Sequence, residues 1–157
     1  MPAKTNAVRI VEQAGVACKE AFYEYDENDL SGIHAANSLA LDPEQVYKTL
    51  VTRGPRTGIN IFCIPVACEL DLKKAAKAAG DKSIEMIQVK ELLSTTGYVR
   101  GGCSPLGMKK QFPTVIDSTA ENYSEIYISG GRIGTTIQLN PKDLASVTGA
   151  IFAPITV

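Results

Sequence analysis

Short apolar runs and helical periodicities alternate along this chain. Helical patterns with apolar residues on one side predict helices over 7–13, 33–41, 70–79, 90–93 and 141–147. Alternating or β-branched runs predict strands over 18–25, 46–52, 59–66, 84–89, 114–117, 125–129, 134–139 and 150–155. A polar connection is predicted over 26–31. Strands in sequence with helices inserted among them indicate an α+β fold. We expect one domain over 1–157, with a central mixed and partly closed sheet flanked by helices.

The helix ends carry recognisable signals. Asn6 is the predicted N-cap of the first helix, because its side chain can accept a hydrogen bond from a free backbone N–H. Gly80 is placed to end the helix over 70–79, and Pro141 to open the last one.

The segment 96–110, which we call the glycine-rich segment, contains four glycines and a proline. Such a segment lets the backbone approach a ligand closely and aim its N–H groups at an oxygen atom. Lys109 and Lys110 add positive charge at its end. No Gly-Lys-Ser/Thr sequence closes it, so it is not a Walker loop. A surface connection rich in turn residues is the alternative interpretation.

Charge and cysteine content exclude several classes of protein. The 157 residues include 16 Lys and Arg against 17 Asp and Glu, which is not the basic balance of a protein that holds long duplexes. No apolar run approaches the roughly 20 residues that span a bilayer, so no membrane partner is expected. The four cysteines lack C-x-x-C spacing and are expected to be reduced thiols of a cytoplasmic protein. With one histidine in the chain, neither a metal nor another cofactor is expected.

Lys48 is the strongest single candidate for chemistry. It interrupts an apolar and β-branched run, where a lysine by default lies on a solvated strand edge. In a cleft, the same ammonium group would polarise a carbonyl or pair with a phosphate. Thr49 would lie on the opposite face of a regular strand.

No catalytic triad can be assembled from the sequence. His34 is the one histidine, and it falls in a helical pattern. Cys103 lies in the glycine-rich segment, whose amides would lower the pKa of its thiol, so it is a candidate nucleophile without a base. Ser104, Ser129, Tyr23 and Tyr98 fit either turns and packing or the walls of a ligand pocket.

Several motifs taken together resemble one family. They are VYKTL at 46–50, LDLKK at 70–74, TGY at 96–98, GGCSPLG at 101–107, KK at 109–110 and SGG at 129–131. In this order they resemble the YbaK family of aminoacyl-tRNA deacylases, which are relatives of the editing domain inserted in bacterial prolyl-tRNA synthetases. The resemblance implies an α+β editing-domain fold with a barrel-like sheet.

The resemblance also implies a function. The expected activity is removal of cysteine wrongly attached to tRNA(Pro), in which the thiol of the substrate cysteine attacks its own ester carbonyl. The expected partners are the 3′ end of the aminoacyl-tRNA and prolyl-tRNA synthetase, from which tRNA specificity would be borrowed. Such chemistry requires positioning and oxyanion stabilisation, and no protein nucleophile. Cys103 would then be a bystander.

Site residues follow from the same resemblance. Lys48 would engage the terminal ribose, its phosphate or the scissile carbonyl, and Gly101 and Gly102 would donate backbone N–H groups near that carbonyl. The implied substrate-binding residues are Tyr23, Thr49, Gly97, Tyr98, Ser104, Pro105, Ser129 and Gly130.

The sequence departs from the family pattern at the expected rim of the pocket. Ser31 stands where an aromatic residue is frequent, Thr136 where an acidic residue is common, and Ile133 follows Arg132 where two basic residues are frequent. These departures bear on amino-acid selectivity. They also keep open a non-catalytic module that binds an aminoacyl-tRNA or nucleotide end and regulates a partner. A thiol enzyme that uses Cys103 is the third hypothesis.

Overall fold

The computed structural model describes residues 3–25 and 28–157, so residues 26 and 27 of the predicted polar connection lie outside it. The helices are α1 (Asn6–Gln13), α2 (Gly32–Ser38), α3 (Leu72–Ala79), α4 (Val89–Thr96) and α5 (Pro141–Thr148), with a 3-10 helix over Ser118–Asn122. The strands are β1 (Cys18–Phe22), β2 (Tyr47–Gly54), β3 (Gly58–Pro65), β4 (Glu85–Met86), β5 (Thr114–Asp117), β6 (Ile126–Ser129), β7 (Thr135–Leu139) and β8 (Ile151–Ala153).

The described strands form two sheets. One has the order β1-β7-β6 and is antiparallel throughout. The other has the order β4-β2-β3-β5-β8 and is mixed, because β3, β5 and β8 run parallel. A single parallel bridge between Val46 and Tyr127 joins them. The α+β prediction is confirmed, but neither sheet closes, so the prediction of a partly closed, barrel-like sheet is not.

The main core lies where the two sheets face each other. Apolar residues of β2, β3 and β5 meet those of β6 and β7 there, and α1 and α5 contribute Val8 and Leu144. A second core lies on the other face of the larger sheet, where Ala75 and Ala76 of α3 pack against Phe62 and Ile64. The larger sheet is therefore covered on both faces, which accounts for the nearly continuous apolar run of β3.

Several helix boundaries differ from the prediction. Helix α2 ends at Ser38 rather than at Leu41, and α3 begins at Leu72 rather than at Leu70. The N-cap of α1 is Thr5 rather than Asn6, because the Thr5 hydroxyl accepts a hydrogen bond from the N–H of Val8. Helix α4 is twice as long as predicted, because a capping box of Gln88 and Glu91 starts it at Val89 and it continues to Thr96, where Gly97 ends it.

Among the strands, β4 differs most from its predicted length. It pairs with β2 only at Thr52 and Arg53, so it covers two residues instead of the predicted 84–89. The edge of β2 before these residues therefore has no neighbouring strand until the bridge at Val46. This open edge leaves room for the cavity described below.

Asp81 organises the turn between β2 and β3. Its Oδ2 accepts hydrogen bonds from the N–H of Arg56 (3.1 Å), the N–H of Thr57 (2.8 Å) and the Thr57 hydroxyl (2.7 Å), and Oδ1 accepts one from the N–H of Lys82 (2.7 Å). Partial desolvation raises the pKa of this carboxyl, but the four donors outweigh it and hold the pKa well below its usual range.

Asp81→Asn is expected to lower the melting temperature by a few degrees at pH 7, because the amide loses the charge that these donors stabilise. A depressed pKa contributes stability above the unfolded-state value near 4, and this stability is lost as the pH falls. The difference from the wild type should therefore shrink below about pH 4. Thermal unfolding across pH measures it, with the exposed Glu69→Gln as control. Equal melting temperatures at pH 7 would contradict the assignment.

Candidate functional site

A cavity of about 310 Å³ opens between the uncovered edge of β2, the glycine-rich segment and the ends of β6 and β7. Its lining brings together residues that are far apart in sequence. They are Tyr23, Leu30, Ser31, Gly32, Ala35, Val46, Tyr47, Lys48, Thr49, Leu50, Val66, Arg100, Gly101, Cys103, Ile128, Ser129, Thr135 and Thr136. Five of the predicted site residues are among them: Tyr23, Lys48, Thr49, Gly101 and Ser129.

Lys48 reaches the cavity from β2, where it lies opposite Ile64 of β3. It is partly buried, and among the residues that the structure describes no carboxylate lies within ion-pair distance of its ammonium group. Thr49 lies opposite Cys63, with 3.9 Å between the hydroxyl oxygen and the sulfur. An ammonium group without an internal counter-ion is available to an anionic or carbonyl oxygen of a ligand.

Gly101 forms the opposite wall of the cavity. Its φ of +85° lies in the left-handed region, which favours glycine. A Cβ added at this position would lie 3.0 Å from Cβ of Leu30, which also lines the cavity. In the described part of the chain the N–H of Gly101 has no backbone acceptor, whereas the N–H of Gly102 is donated to the carbonyl of Val99 at 3.0 Å. The N–H of Gly101 can therefore donate a hydrogen bond to a ligand, whereas the N–H of Gly102 already donates to Val99.

Hydroxyl groups line the third wall. The N–H of Tyr23 donates to the carbonyl of Gly134 at 2.9 Å, which holds Tyr23 beside β7. The His34 ring meets the Tyr23 ring edge-on, with 6.4 Å between centroids, so the single histidine supports this wall. Ser129 of β6 lies directly opposite Thr136 of β7. These groups can donate or accept hydrogen bonds around a small polar ligand.

The other six predicted site residues do not line the cavity. Gly97 ends α4 in the left-handed conformation, and the Tyr98 hydroxyl donates to the carbonyl of Leu106. Ser104 is buried, and its hydroxyl accepts the N–H of Leu106 at 3.3 Å. Gly102, Pro105 and Gly130 are also buried. Five of the six belong to the glycine-rich segment itself, and Gly130 directly follows β6. The contact of all six with substrate stays a prediction.

Three of the lining residues that the sequence analysis missed have polar side chains. Tyr47 precedes Lys48, and its hydroxyl pairs with the Thr119 hydroxyl at 2.8 Å; burial raises the pKa of Tyr47 to about 12. Thr135 pairs with Phe22 across β1 and β7. Arg100 lies within the glycine-rich segment beside Gly101. The available signal for Tyr47 was strand alternation, which puts it on the same face of β2 as Thr49. Thr135 is placed by long-range strand pairing, for which local sequence gives no signal.

Two of the three sequence departures lie at the site, since Ser31 and Thr136 both line the cavity. Ser31 is also the N-cap of α2, because its hydroxyl accepts the N–H of His34 at 3.1 Å. The backbone N of Ile133 lies 3.0 Å from the position that a Cβ on Gly102 would take. The changes at Ser31 and Thr136 therefore alter the lining itself, whereas Ile133 lies behind the glycine-rich segment.

Cys103 lines the cavity but is not an activated thiol. Burial raises its pKa to about 12, which corrects the expectation that the amides of the glycine-rich segment lower it. At neutral pH the thiolate, which is the nucleophilic form, is therefore scarcely populated. The hypothesis of a thiol enzyme that uses Cys103 loses its physical basis.

Cys103→Ala is accordingly expected to keep turnover within about threefold of the wild type, since the substitution removes no reactive group. Release of the amino acid from aminoacyl-tRNA at pH 7 measures it. A loss of 100-fold or more, with unfolding unchanged, would restore the thiol enzyme.

Among the residues that the structure describes, no three His, Cys, Asp or Glu side chains come together in a group that would hold a metal ion. No described helix combines the length and apolar character that crossing a membrane requires.

Comparison with known proteins identifies the family. The sequence profile of the aminoacyl-tRNA editing domain matches residues 30–147, so the chain belongs to the aminoacyl-tRNA editing domain family, as the resemblance predicted. The chain is 50% identical over 153 residues to EbsC of Enterococcus faecalis, named as a candidate Cys-tRNA(Pro)/Cys-tRNA(Cys) deacylase. This match covers 98% of the chain and 93% of EbsC.

Two further matches are more distant. The chain is 23% identical over 137 residues to a proline–tRNA ligase of Brachyspira hyodysenteriae. This match covers 82% of the chain and 24% of the ligase. The crystal structure of a candidate trans-editing enzyme for prolyl-tRNA synthetase superposes with a TM-score of 0.81, at 24% identity and over 99% of each chain. The superposition shows that the fold is shared.

Proposed function

We propose that the protein is a trans-editing deacylase that removes cysteine from mischarged Cys-tRNA(Pro). The observation that carries the proposal is the convergence of Lys48, Gly101, Tyr23, Thr49 and Ser129 on one small cavity. Family membership and the 50% identity to EbsC support the same activity. A volume of about 310 Å³ lies at the small end of ligand pockets, which suits an aminoacyl ester on a terminal ribose.

The groups in the cavity fit an intramolecular reaction of the substrate. The thiol sulfur of the esterified cysteine attacks its own carbonyl carbon, so that a C–S bond forms and the ester C–O bond breaks. The ribose oxygen leaves with the proton of the thiol, and a cyclic thioester is released. Lys48 and the N–H of Gly101 would stabilise the developing oxyanion, and the walls would hold the sulfur near the carbonyl.

We further propose that residues 1–157 act as one editing domain, although the family profile begins at residue 30. Strand β1 pairs with β7 along its whole length, and the Thr5 hydroxyl donates to the carbonyl of Gly130 at 2.5 Å. These contacts tie the first two elements to the wall of the cavity. Prolyl-tRNA synthetase is the proposed source of tRNA specificity, since a net charge of −1 suits weak intrinsic affinity for tRNA.

The deciding experiment compares tRNA(Pro) charged with cysteine, alanine or proline, and tRNA(Cys) charged with cysteine, each with and without prolyl-tRNA synthetase. We expect rapid loss of cysteine alone. Equal rates on both tRNAs without the synthetase, and a preference for tRNA(Pro) with it, would support borrowed specificity. Binding of an aminoacyl-adenosine analogue without turnover of any substrate would instead indicate the non-catalytic module.

A further inference from the structure

Arg100 lies where the cavity joins a second, smaller depression, which we call the side groove. The side groove has a volume of about 210 Å³ and shares Thr49, Leu50, Arg100, Gly101 and Cys103 with the cavity. Its remaining lining comes from Val51 of β2 and from β4, α4 and the connection between them: Met86, Ile87, Gln88, Val89 and Leu92. A ligand too long for the cavity would therefore pass Arg100 on its way into the side groove.

The charge at this junction is uncompensated within the described structure. Arg100 is exposed, and no carboxylate lies within ion-pair distance of its guanidinium group. Neither lining includes a described Asp or Glu. An unpaired guanidinium presents a planar set of donors that matches phosphate oxygens.

The outer wall of the side groove is apolar and open to solvent. Met86 and Val89 have exposed fractions of 48% and 64%, which is high for apolar side chains. An exposed apolar surface beside a cationic group suits the face of a nucleobase whose phosphate lies at that cation.

We propose that Arg100 binds the phosphate that joins the last two nucleotides of the tRNA 3′ end, and that the side groove receives the penultimate base. The assignment rests on the proposed function, because it takes the terminal ribose to lie in the cavity. Arg100 is a positioning residue here: it fixes where the acceptor strand leaves the cavity, and it does not touch the reacting carbonyl.

Direct binding tests the proposal without turnover. The probe is a fluorescent single-stranded RNA that ends in CCA, with adenosine as the competitor that lacks the phosphate. Arg100→Gln is expected to weaken binding of the RNA about tenfold and to reduce the slope of log Kd against log salt by about 0.7. Arg100→Lys should keep the salt slope and part of the affinity. The matched control is Arg9→Gln, another exposed arginine without an ion pair in the described structure.

A kinetic arm separates this inference from the proposed function. For Arg100→Gln, KM for cysteinyl-tRNA should rise about tenfold with kcat unchanged, and cleavage of cysteinyl-adenosine should be unaffected. Equal losses on both substrates, RNA binding equal to that of the wild type, or no RNA binding by the wild type at low salt would overturn the proposal. If the wild type cleaves neither substrate, the proposed function fails, and the binding arm still decides the role of Arg100.

Discussion

Lys48→Ala should lower kcat/KM for release of cysteine from Cys-tRNA(Pro) by about 100-fold or more, because it removes the cation that we propose stabilises the oxyanion. The fold should survive, since the ammonium group has no hydrogen bond or ion pair within the described structure, and the side chain is only partly buried. Release of cysteine measures the first effect, and thermal unfolding measures the second.

Lys48→Met separates the charge of the side chain from its size, and Lys142→Ala is the control. Lys48→Met keeps the length of the side chain without the charge, so it should be as inactive as Lys48→Ala if the cation matters. Lys142→Ala removes an exposed lysine from α5 and should leave turnover unchanged. An active Lys48→Met would show that the side chain acts by filling space. Full activity in both Lys48 variants would remove it from the reaction.

Local sequence patterns predicted a helix or strand well where the side chains at its ends determine where it starts and stops. Strand β5 (Thr114–Asp117) was predicted to the residue, because a β-branched run ends there at an aspartate that caps the following 3-10 helix. The N-cap of α1 was wrong by one position, since Thr5 and Asn6 are both good capping residues and only the geometry decides between them. The predicted strand over 84–89 was too long because its pairing with β2 ends at Met86 and helix α4 begins at Val89.

The cavity itself was beyond local patterns. Tyr23, Lys48, Gly101 and Ser129 come from four separate parts of the chain. The pairing of β1 with β7, across more than 100 residues of sequence, brings Tyr23 near Ser129, and the bridge between Val46 and Tyr127 brings the start of β2 beside β6. No periodicity reports such a pairing. The family resemblance supplied five lining residues, but it also proposed buried residues such as Ser104, which hold the glycine-rich segment in place.

Gly101→Ala should lower kcat/KM about 100-fold, well beyond its effect on stability. Alanine at a φ of +85° costs about 1 kcal/mol of conformational strain. The added Cβ would also lie 3.0 Å from Cβ of Leu30 and 3.4 Å from its carbonyl oxygen. Leu30 and Gly101 both line the cavity, so the relief of this contact must move one of its walls. The shift is a few tenths of an ångström, and it falls on the wall that carries the Gly101 N–H proposed for the oxyanion. Loss of such a donor costs about 100-fold or more in rate.

Gly149→Ala is the matched control for this strain. Gly149 has a φ of +75° at the end of α5, and an added Cβ there would meet no atom within 4 Å. Both variants should lose about 1 kcal/mol of unfolding free energy, which urea denaturation measures. Only Gly101→Ala should lose turnover, because only Gly101 combines the strain with a place in the cavity wall. Equal activity in the two variants would mean that the wall at Gly101 does not position the ester.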